Sequence, residues 1–164
     1  MGGKSSKDKK KDKGPIVPQI PDGDLPLRLV IVGPTAAGKT SMLITLRTNI
    51  FNEEYCPTVL DIYECERESH GRRIAVSIID TSGDANMGSQ RAMLLSGADI
   101  IMICVSTDDD KMLHTIHDFS NEAKSACGNT PMVLVGTKTD LRDRNPTGCI
   151  TTNMLAQQKQ SLGL

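Results

Sequence analysis

Residues 27–43 have the sequence Leu-Arg-Leu-Val-Ile-Val-Gly-Pro-Thr-Ala-Ala-Gly-Lys-Thr-Ser-Met-Leu, and this stretch decides the fold. The apolar run ending at Val32 predicts a β-strand, and the residues from Lys39 onward suit a helix. Between them lies G-x-x-x-x-G-K-T, the phosphate-binding P-loop in its expected strand–loop–helix context. Backbone N–H groups, the helix N-terminus and the Lys39 ammonium favour bound phosphate, and the Thr40 hydroxyl suits Mg²⁺. A glycine-rich turn without a ligand is the alternative.

The composition fits one domain with an aliphatic core. The 164 residues include two Phe, two Tyr and no Trp, so Val, Ile, Leu and Met must fill the interior. A net charge of −1 argues against a globally cationic nucleic-acid binder. No apolar run reaches membrane-spanning length, and we expect no secretory signal after Met1. Five scattered cysteines without metal-binding spacing indicate a reducing, cytoplasmic compartment: Cys56, Cys65, Cys104, Cys127 and Cys149.

Residues 1–26 form a lysine-rich tail that we expect to be disordered, because it lacks any apolar period. Its first 13 residues contain six Lys and two Asp, a local charge of +4. The opening M-G-G-K-S-S fits an N-myristoylation signal with Gly2 as acceptor and Ser6 in the required place. One acyl chain binds membranes weakly, and nearby lysines add attraction to an anionic membrane surface. The tail therefore predicts peripheral attachment to the cytoplasmic face of a membrane; a solvated tail that only maintains solubility is the alternative.

Strand-like and helix-like segments alternate along residues 27–164, which predicts an α/β fold with a mainly parallel sheet flanked by helices. Three polar clusters, Gly33–Thr40, Asp80–Gly83 and Thr137–Asp140, each follow a predicted strand. Because carboxyl ends of parallel strands meet at one edge of a sheet, these clusters should converge on one ligand. The predicted helices are Lys39–Arg47, Gln90–Leu95, Lys111–Ala126 and Thr152–Leu162; the predicted strands are Leu29–Val32, Ile100–Val105, Met132–Val135 and a hairpin of Asp61–Glu68 with Arg72–Ile79.

Together these motifs resemble the small GTPases of the Ras superfamily over about residues 27–164. Within it, the E-Y-C-P-T-V of Glu54–Val59 and the P-M-V-L-V-G-T-K-T-D-L-R-D of Pro131–Asp143 are similar to Rho and Rac proteins. The resemblance implies a P-loop NTPase fold and a GTP-binding switch. It also implies GTP or GDP and Mg²⁺ as cofactors, and effector and exchange-factor proteins as partners through the switch regions. An ATP-using P-loop enzyme is disfavoured by Lys138-Thr139-Asp140, and nucleic acid by the lack of aromatic residues among the tail lysines.

The resemblance also implies a role for each matching residue. Thr40 and Thr58 would ligate Mg²⁺, and Asp80 would act through the outer coordination sphere of that ion. The Gly83 N–H would recognise the γ-phosphate, Asp140 would accept from the guanine base and Lys138 would lie along it. A capping Asp80, a turn Thr58 and a solvated Lys138–Asp140 pair are the alternatives. The implied catalytic set is Lys39, Thr58, Gly83 and Asp84, and the implied nucleotide-binding set is Gly33, Pro34, Thr35, Ala36, Ala37, Gly38, Lys39, Thr40, Ser41, Thr58, Asp80, Gly83, Thr137, Lys138 and Asp140.

Two departures from the family pattern predict slow GTP hydrolysis. Asp84 follows Gly83, where most members have the glutamine that positions the attacking water. An amide accepts from water and donates to the phosphoryl group, whereas a carboxylate only accepts. Thr35 stands where a glycine usually leaves room for a partner's arginine finger, so its branched side chain should obstruct that finger. The alternatives are a neutral surface Asp84 with hydrolysis through another group, and a non-hydrolysing GTPase-like interaction module.

The C-terminal boundary is a third departure. Family members continue past the helix near Thr152–Leu162 into a further strand and a final helix, whereas this sequence stops at Leu164. We therefore expect a C-terminally incomplete GTPase domain, in which a partner covers an apolar sheet face or the chain is a truncated product. The stretch Asp143–Ile150 is also shorter than the extra helix of Rho proteins. Without a C-terminal prenylation box, an N-terminal anchor gains weight.

Overall fold

The computed structural model of the chain describes residues 25–51 and 58–164. The predicted tail with its Gly2 acceptor, apart from Leu25 and Pro26, and the Glu54–Pro57 part of the switch motif lie outside these residues. Five strands and five α-helices are formed within them, with 3₁₀ turns at Ala85–Met87 and Asp110–His114. The elements are β1 Leu25–Val32, α1 Lys39–Thr48, β2 Leu60–Ser69, β3 Arg72–Thr81, α2 Gly88–Leu95, β4 Ile100–Ser106, α3 Thr115–Cys127, β5 Met132–Thr137, α4 Thr139–Arg144 and α5 Thr152–Leu162.

The strands form one sheet in the order β2-β3-β1-β4-β5. Strand β1 is parallel to both β3 and β4, and β4 is parallel to β5. Only β2 runs antiparallel, in the predicted hairpin with β3, where Ser69 is paired with Arg72. The two turn residues His70 and Gly71 have φ angles of 52° and 71°, as a two-residue hairpin turn of the primed type requires. The predicted α/β fold with a mainly parallel sheet is confirmed.

Alternating residues of the strands supply two apolar cores on opposite faces of the sheet. On one face, Val30 and Val32 join the buried side chains of α2, α3 and α5. On the other face, Ile31 packs with Leu43 of α1, Ile78 and Cys104. This second core is smaller, and its neighbours on the same face are only partly buried: Leu29, Val76, Met102 and Val135. No helix among residues 25–51 and 58–164 has the length and apolar character needed to cross a membrane.

Two helical segments of the structure differ from the prediction. The predicted helix Lys111–Ala126 begins instead as a 3₁₀ turn, because the Asp109 carboxylate accepts from the Lys111 N–H at 3.0 Å and starts a tighter winding. The α-helix proper starts at Thr115. Helix α4 was not predicted, since six residues are too few to show an apolar period. The last predicted helix, Thr152–Leu162, is confirmed at both ends, with the Thr151 hydroxyl accepting from Met154 N–H at its start.

Candidate nucleotide-binding site

The P-loop links β1 to α1 as an open cradle of backbone groups. Gly33 has a φ of 145°, and a Cβ there would lie 2.1 Å from the Cys104 carbonyl oxygen, so only glycine fits. Ala36 and Gly38 also have positive φ, at 61° and 79°. Gly38 precedes α1 and offers no side-chain cap, so the first N–H groups of this helix remain available to an anionic ligand. This backbone shape is the one that phosphate-binding nests adopt.

Lys39 lies inside this cradle rather than on the surface. Its side chain is buried, and its Nζ donates to the carbonyl oxygens of Gly33 and Pro34, both at 2.9 Å. Burial lowers the pKa of the Lys39 ammonium below its usual 10.5, and the negative charge of Asp80 opposes that shift. The ammonium therefore stabilises the P-loop through two backbone hydrogen bonds and places a positive charge on the concave side of the loop.

Thr40, Thr58 and Asp80 form a chain of hydrogen bonds beside the P-loop. The Thr40 hydroxyl donates to Asp80 Oδ2 at 2.5 Å, and it lies 2.5 Å from the Thr58 hydroxyl. Asp80 is fully buried at the end of β3, and its Oδ1 has no hydrogen-bond partner among the described residues. Burial raises the pKa of Asp80 above its usual 3.8, against the opposing effects of the Thr40 hydrogen bond and the Lys39 charge. Two hydroxyls and an unsatisfied carboxylate oxygen are hard oxygen ligands that suit a hydrated Mg²⁺.

The loop after β3 touches the P-loop through Gly83. A Cβ at Gly83 would lie 2.2 Å from the Thr35 nitrogen and 2.4 Å from the Pro34 carbonyl carbon. The next residue, Asp84, is exposed, and its carboxylate accepts from the Asn86 N–H at 2.9 Å. Asp84 thus caps the 3₁₀ turn that follows it, and Thr35 is exposed at the rim of the P-loop.

The third predicted cluster joins the same site through Thr137. Its hydroxyl donates to the Ala37 carbonyl of the P-loop at 2.6 Å and lies 3.2 Å from the Val105 carbonyl oxygen. Lys138 follows in the left-handed region, with a φ of 54°. The alternative of a solvated Lys138–Asp140 pair is not what the structure contains. Lys138 pairs with Asp108 at 3.7 Å, and the exposed Asp140 lies 4.0 Å from Arg144.

The three predicted clusters therefore converge, as parallel topology requires. Among the described residues no group of three or more His, Cys, Asp or Glu side chains could hold a metal ion. The candidate cation site rests on the hydroxyls of Thr40 and Thr58 beside Asp80.

Two contributors to the site were missed in the sequence. Asp108 follows β4, and the same rule about carboxyl ends of strands would have identified it. Arg91, on α2, donates to the carbonyl oxygens of Ser82 and Asp84 and pairs with Glu122 of α3. No local pattern signals that contact, because the paired residues lie 31 positions apart.

Comparison with known proteins agrees with this geometry. The family model described as the Ras family matches residues 28–162, which is most of the chain. The GTP-binding protein RHO1 of Candida albicans is 36% identical over 138 residues, which are 84% of this chain and 68% of that protein. The chain therefore belongs to the Ras family of small GTPases, and to its Rho-like members.

Proposed function

We propose that this chain is a Rho-like GTP-binding switch with slow GTP hydrolysis, in which residues 27–164 form the GTPase domain. The observation that carries the proposal is the meeting of three loops at the P-loop. The Thr137 hydroxyl donates to the Ala37 carbonyl, and the Thr40 hydroxyl donates to Asp80. The α-carbon of Gly83 lies against the backbone of Thr35. We infer that the ligand has phosphates at one end, at the P-loop, and a base at the other, at the loop after β5. Family membership supports guanine as that base.

In this proposal the buried charges of the site act on the phosphates. Lys39 already donates to two P-loop carbonyls at 2.9 Å, and its third donor is directed to the β- and γ-phosphates. The Gly83 N–H donates to the γ-phosphate, and the first N–H groups of α1 hold the others. Mg²⁺, when bound, neutralises phosphate charge. Thr40 and Thr58 are its proposed protein ligands, and the unsatisfied Asp80 Oδ1 supports their fit because a water on the ion would donate to it.

At the base end, Asp140 is the proposed specificity residue. Its carboxylate is exposed and held only loosely by Arg144 at 4.0 Å, so both oxygens are available to the N1–H and 2-amino group of guanine. Adenine does not present that pair of donors. Lys138, oriented by Asp108, would lie along the plane of the base. The remaining proposed nucleotide contacts come from the P-loop backbone and the first turn of α1: Gly33, Pro34, Thr35, Ala36, Ala37, Gly38 and Ser41.

Slow hydrolysis follows from the position of Asp84. The reaction adds a water oxygen to the γ-phosphorus and releases GDP and inorganic phosphate, so a group must orient that water. The Asp84 carboxylate caps the Asn86 N–H, and as an anion it cannot donate to the transferring phosphoryl group. Thr35 at the rim of the P-loop narrows access for an arginine finger. These same two residues favour the second candidate, a non-hydrolysing GTPase-like module that acts by binding partners.

The N-terminal tail supplies the proposed membrane attachment. Gly2 is the proposed myristoyl acceptor, and the lysines of residues 4–13 would bind an anionic membrane surface on its cytoplasmic face. Effectors and exchange factors are the proposed protein partners through the switch regions around Thr58 and Gly83. Nucleic acid is not among the proposed partners.

Equilibrium titration with fluorescent GTP, GDP and ATP in Mg²⁺ tests the proposal. We expect saturable binding of both guanine nucleotides, and ATP weaker by at least about 100-fold, because losing two charge-assisted hydrogen bonds costs about 3 kcal/mol. Single-turnover hydrolysis then separates the two candidates, since the slow switch releases phosphate on a scale of hours and the binding module does not. Equal affinity for ATP and GTP, or no saturable binding, would refute the GTP-binding switch.

A further inference from the structure

We call the segment between β3 and α2, residues 82–87, switch II. The side chain of Arg91 is buried between switch II and α3, with only 4% of the residue exposed. Its Nη1 donates to the carbonyl oxygens of Ser82 at 2.9 Å and Asp84 at 2.6 Å. Its Nε and Nη2 donate to the two carboxylate oxygens of Glu122, each at 3.0 Å. The guanidinium carbon also lies 5.0 Å from the centre of the Phe119 ring. We call this group of contacts the Arg91 clamp.

We propose that Arg91 is a positioning residue that sets the direction of the Gly83 N–H and thereby the preference of the switch for GTP over GDP. The inference rests on the proposed function, in which that N–H recognises the γ-phosphate. It adds a residue that touches no nucleotide and a helix, α3, that lies outside the three converging loops.

Peptide geometry connects the guanidinium to the Gly83 N–H. The Ser82 carbonyl and the Gly83 N–H belong to the same planar peptide group, which is trans. In a trans peptide the C=O and N–H bonds point in opposite directions. By holding the Ser82 oxygen, Arg91 therefore turns the Gly83 N–H away from α2, and the second bond, to the Asp84 oxygen, fixes the Asp84–Ala85 peptide group as well.

The P-loop restrains the same residue from its other side. The Gly83 α-carbon lies so close to the backbone of Pro34 and Thr35 that no side chain fits between them. Gly83 is thus held between the P-loop and the Arg91 clamp, and its N–H cannot rotate without breaking one of these contacts. A donor fixed in advance binds its acceptor without a further loss of backbone entropy.

The chemistry of the clamp argues for positioning rather than for stability. A buried ion pair gains little over apolar side chains of similar volume, because two charges must be desolvated. The planar fork of arginine, in contrast, can meet a carboxylate with two parallel bonds and still donate to two carbonyls. Lysine cannot reproduce this arrangement, because its three N–H donors share a single nitrogen and diverge from it in tetrahedral directions.

The decisive variant replaces the ion pair with apolar residues, Arg91→Met with Glu122→Leu. We expect this double variant to fold with at least the stability of the unaltered protein, because the cost of desolvating the pair disappears. Its affinity for a non-hydrolysable GTP analogue should fall by about 10-fold or more, while its affinity for GDP changes far less. Arg91→Lys should shift the affinity ratio in the same direction.

Arg28→Lys is the matched control. Arg28 also donates from its guanidinium to a backbone carbonyl of α2, that of Leu94 at 3.0 Å, but at the end of the helix away from switch II. We expect this change to leave the GTP-to-GDP affinity ratio unaltered. A folded double variant that keeps the ratio of the unaltered protein would overturn the positioning role.

Amide hydrogen exchange in the absence of nucleotide tests the clamp independently of binding. The Asn86 and Met87 amides donate to the side chain and the carbonyl oxygen of Asp84, which the clamp holds in place. Their exchange should accelerate at least about 10-fold in both Arg91 variants, and P-loop amides should not respond. Unchanged exchange would overturn the clamp itself. If the unaltered protein bound no guanine nucleotide, the proposed function would fail, and the exchange rates would still decide whether Arg91 holds switch II.

Discussion

Substituting Gly83 by alanine should uncouple GTP binding from GDP binding. Gly83 carries the N–H that we assign to the γ-phosphate, and its α-carbon lies against the P-loop backbone. An added methyl group would lie 2.2 Å from the Thr35 nitrogen and 2.7 Å from the Gly33 carbonyl oxygen. Both atoms belong to the main chain, so no side-chain rotation relieves the overlap. Switch II must therefore move away from the P-loop.

The size of the movement determines the size of the effect. An ordinary contact of a Cβ begins at 3.4 Å, so the separation must grow by about 1 Å. A hydrogen bond of about 2.9 Å stretched by that amount is lost. Bonds to charged groups contribute about 1.5–3 kcal/mol, which corresponds to a loss of GTP affinity of about 10-fold to about 150-fold. GDP lacks the γ-phosphate, so its affinity should change much less.

Stopped-flow or equilibrium fluorescence with labelled GDP and a labelled non-hydrolysable GTP analogue measures both affinities. Gly88→Ala is the matched control in the same segment, since a Cβ there meets only Arg91 Nη2 at an ordinary 3.7 Å. With a helical φ of −55°, this control should stabilise the protein by about 0.4–1 kcal/mol and leave the affinity ratio unchanged. Equal losses of GTP and GDP affinity in Gly83→Ala would refute the assignment of its N–H to the γ-phosphate.

Three further outcomes are expected. Lys39→Met should abolish nucleotide binding and raise the free energy of unfolding of the nucleotide-free protein, because the buried ammonium costs stability. Burial lowers the pKa of Lys39, so between that pKa and 10.5 the unfolded chain binds more protons than the folded chain does. The stability of the unaltered protein therefore rises over that pH range, and its gap to the variant should narrow in urea titrations. Asp84→Gln should raise the single-turnover rate of GTP hydrolysis at least about 10-fold, at a cost of about 1 kcal/mol in stability for the lost cap on Asn86. Gly2→Ala should move the protein from membrane to soluble fractions of cells, because the lysines alone bind an anionic surface weakly.

Each of these outcomes has a result that contradicts it. A pH-independent stability gap would show that Lys39 is not desolvated as described. Unaltered hydrolysis in Asp84→Gln, with nucleotide affinity retained, would favour another water-orienting group. Equal membrane partition of the Gly2→Ala protein would exclude an acyl anchor. Gly3→Ala is the neighbouring control, because the signal does not specify that position.

Much of the fold follows from local chemistry along the chain. Buried strands such as β4 are continuous apolar runs, and the hairpin turn at His70-Gly71 has residues that accept positive φ. The convergence of three polar clusters followed from parallel topology. Thr40 and Asp80 are 40 positions apart in the chain, and both belong to clusters that were predicted to converge at the carboxyl ends of strands. In the structure their side chains are joined by a hydrogen bond.

Contacts that depend on packing between helices were not predictable in this way. Arg91 and Glu122 are ordinary charged residues of two helices, and only the distance between α2 and α3 makes them an ion pair with a buried arginine and a partly buried glutamate. Likewise, no sequence pattern indicated ion-pair partners for Lys138 and Asp140, which the resemblance assigned to the guanine base. The left-handed φ of Lys138 instead brings its ammonium near Asp108 and leaves Asp140 near Arg144.

The hydroxyl of Thr137 has a practical consequence for altering this protein. It joins the end of β5 to the Ala37 carbonyl of the P-loop, so a hydrogen bond holds together the loop that we propose for the base and the loop that we propose for the phosphates. A designer seeking an orthogonal nucleotide for chemical genetics should leave Thr137 untouched. Asp140 lies only three residues further on, yet it is exposed and bonds to no part of the P-loop. If Asp140 recognises the base as we propose, substitutions there should change base preference and leave the proposed phosphate contacts of the P-loop in place.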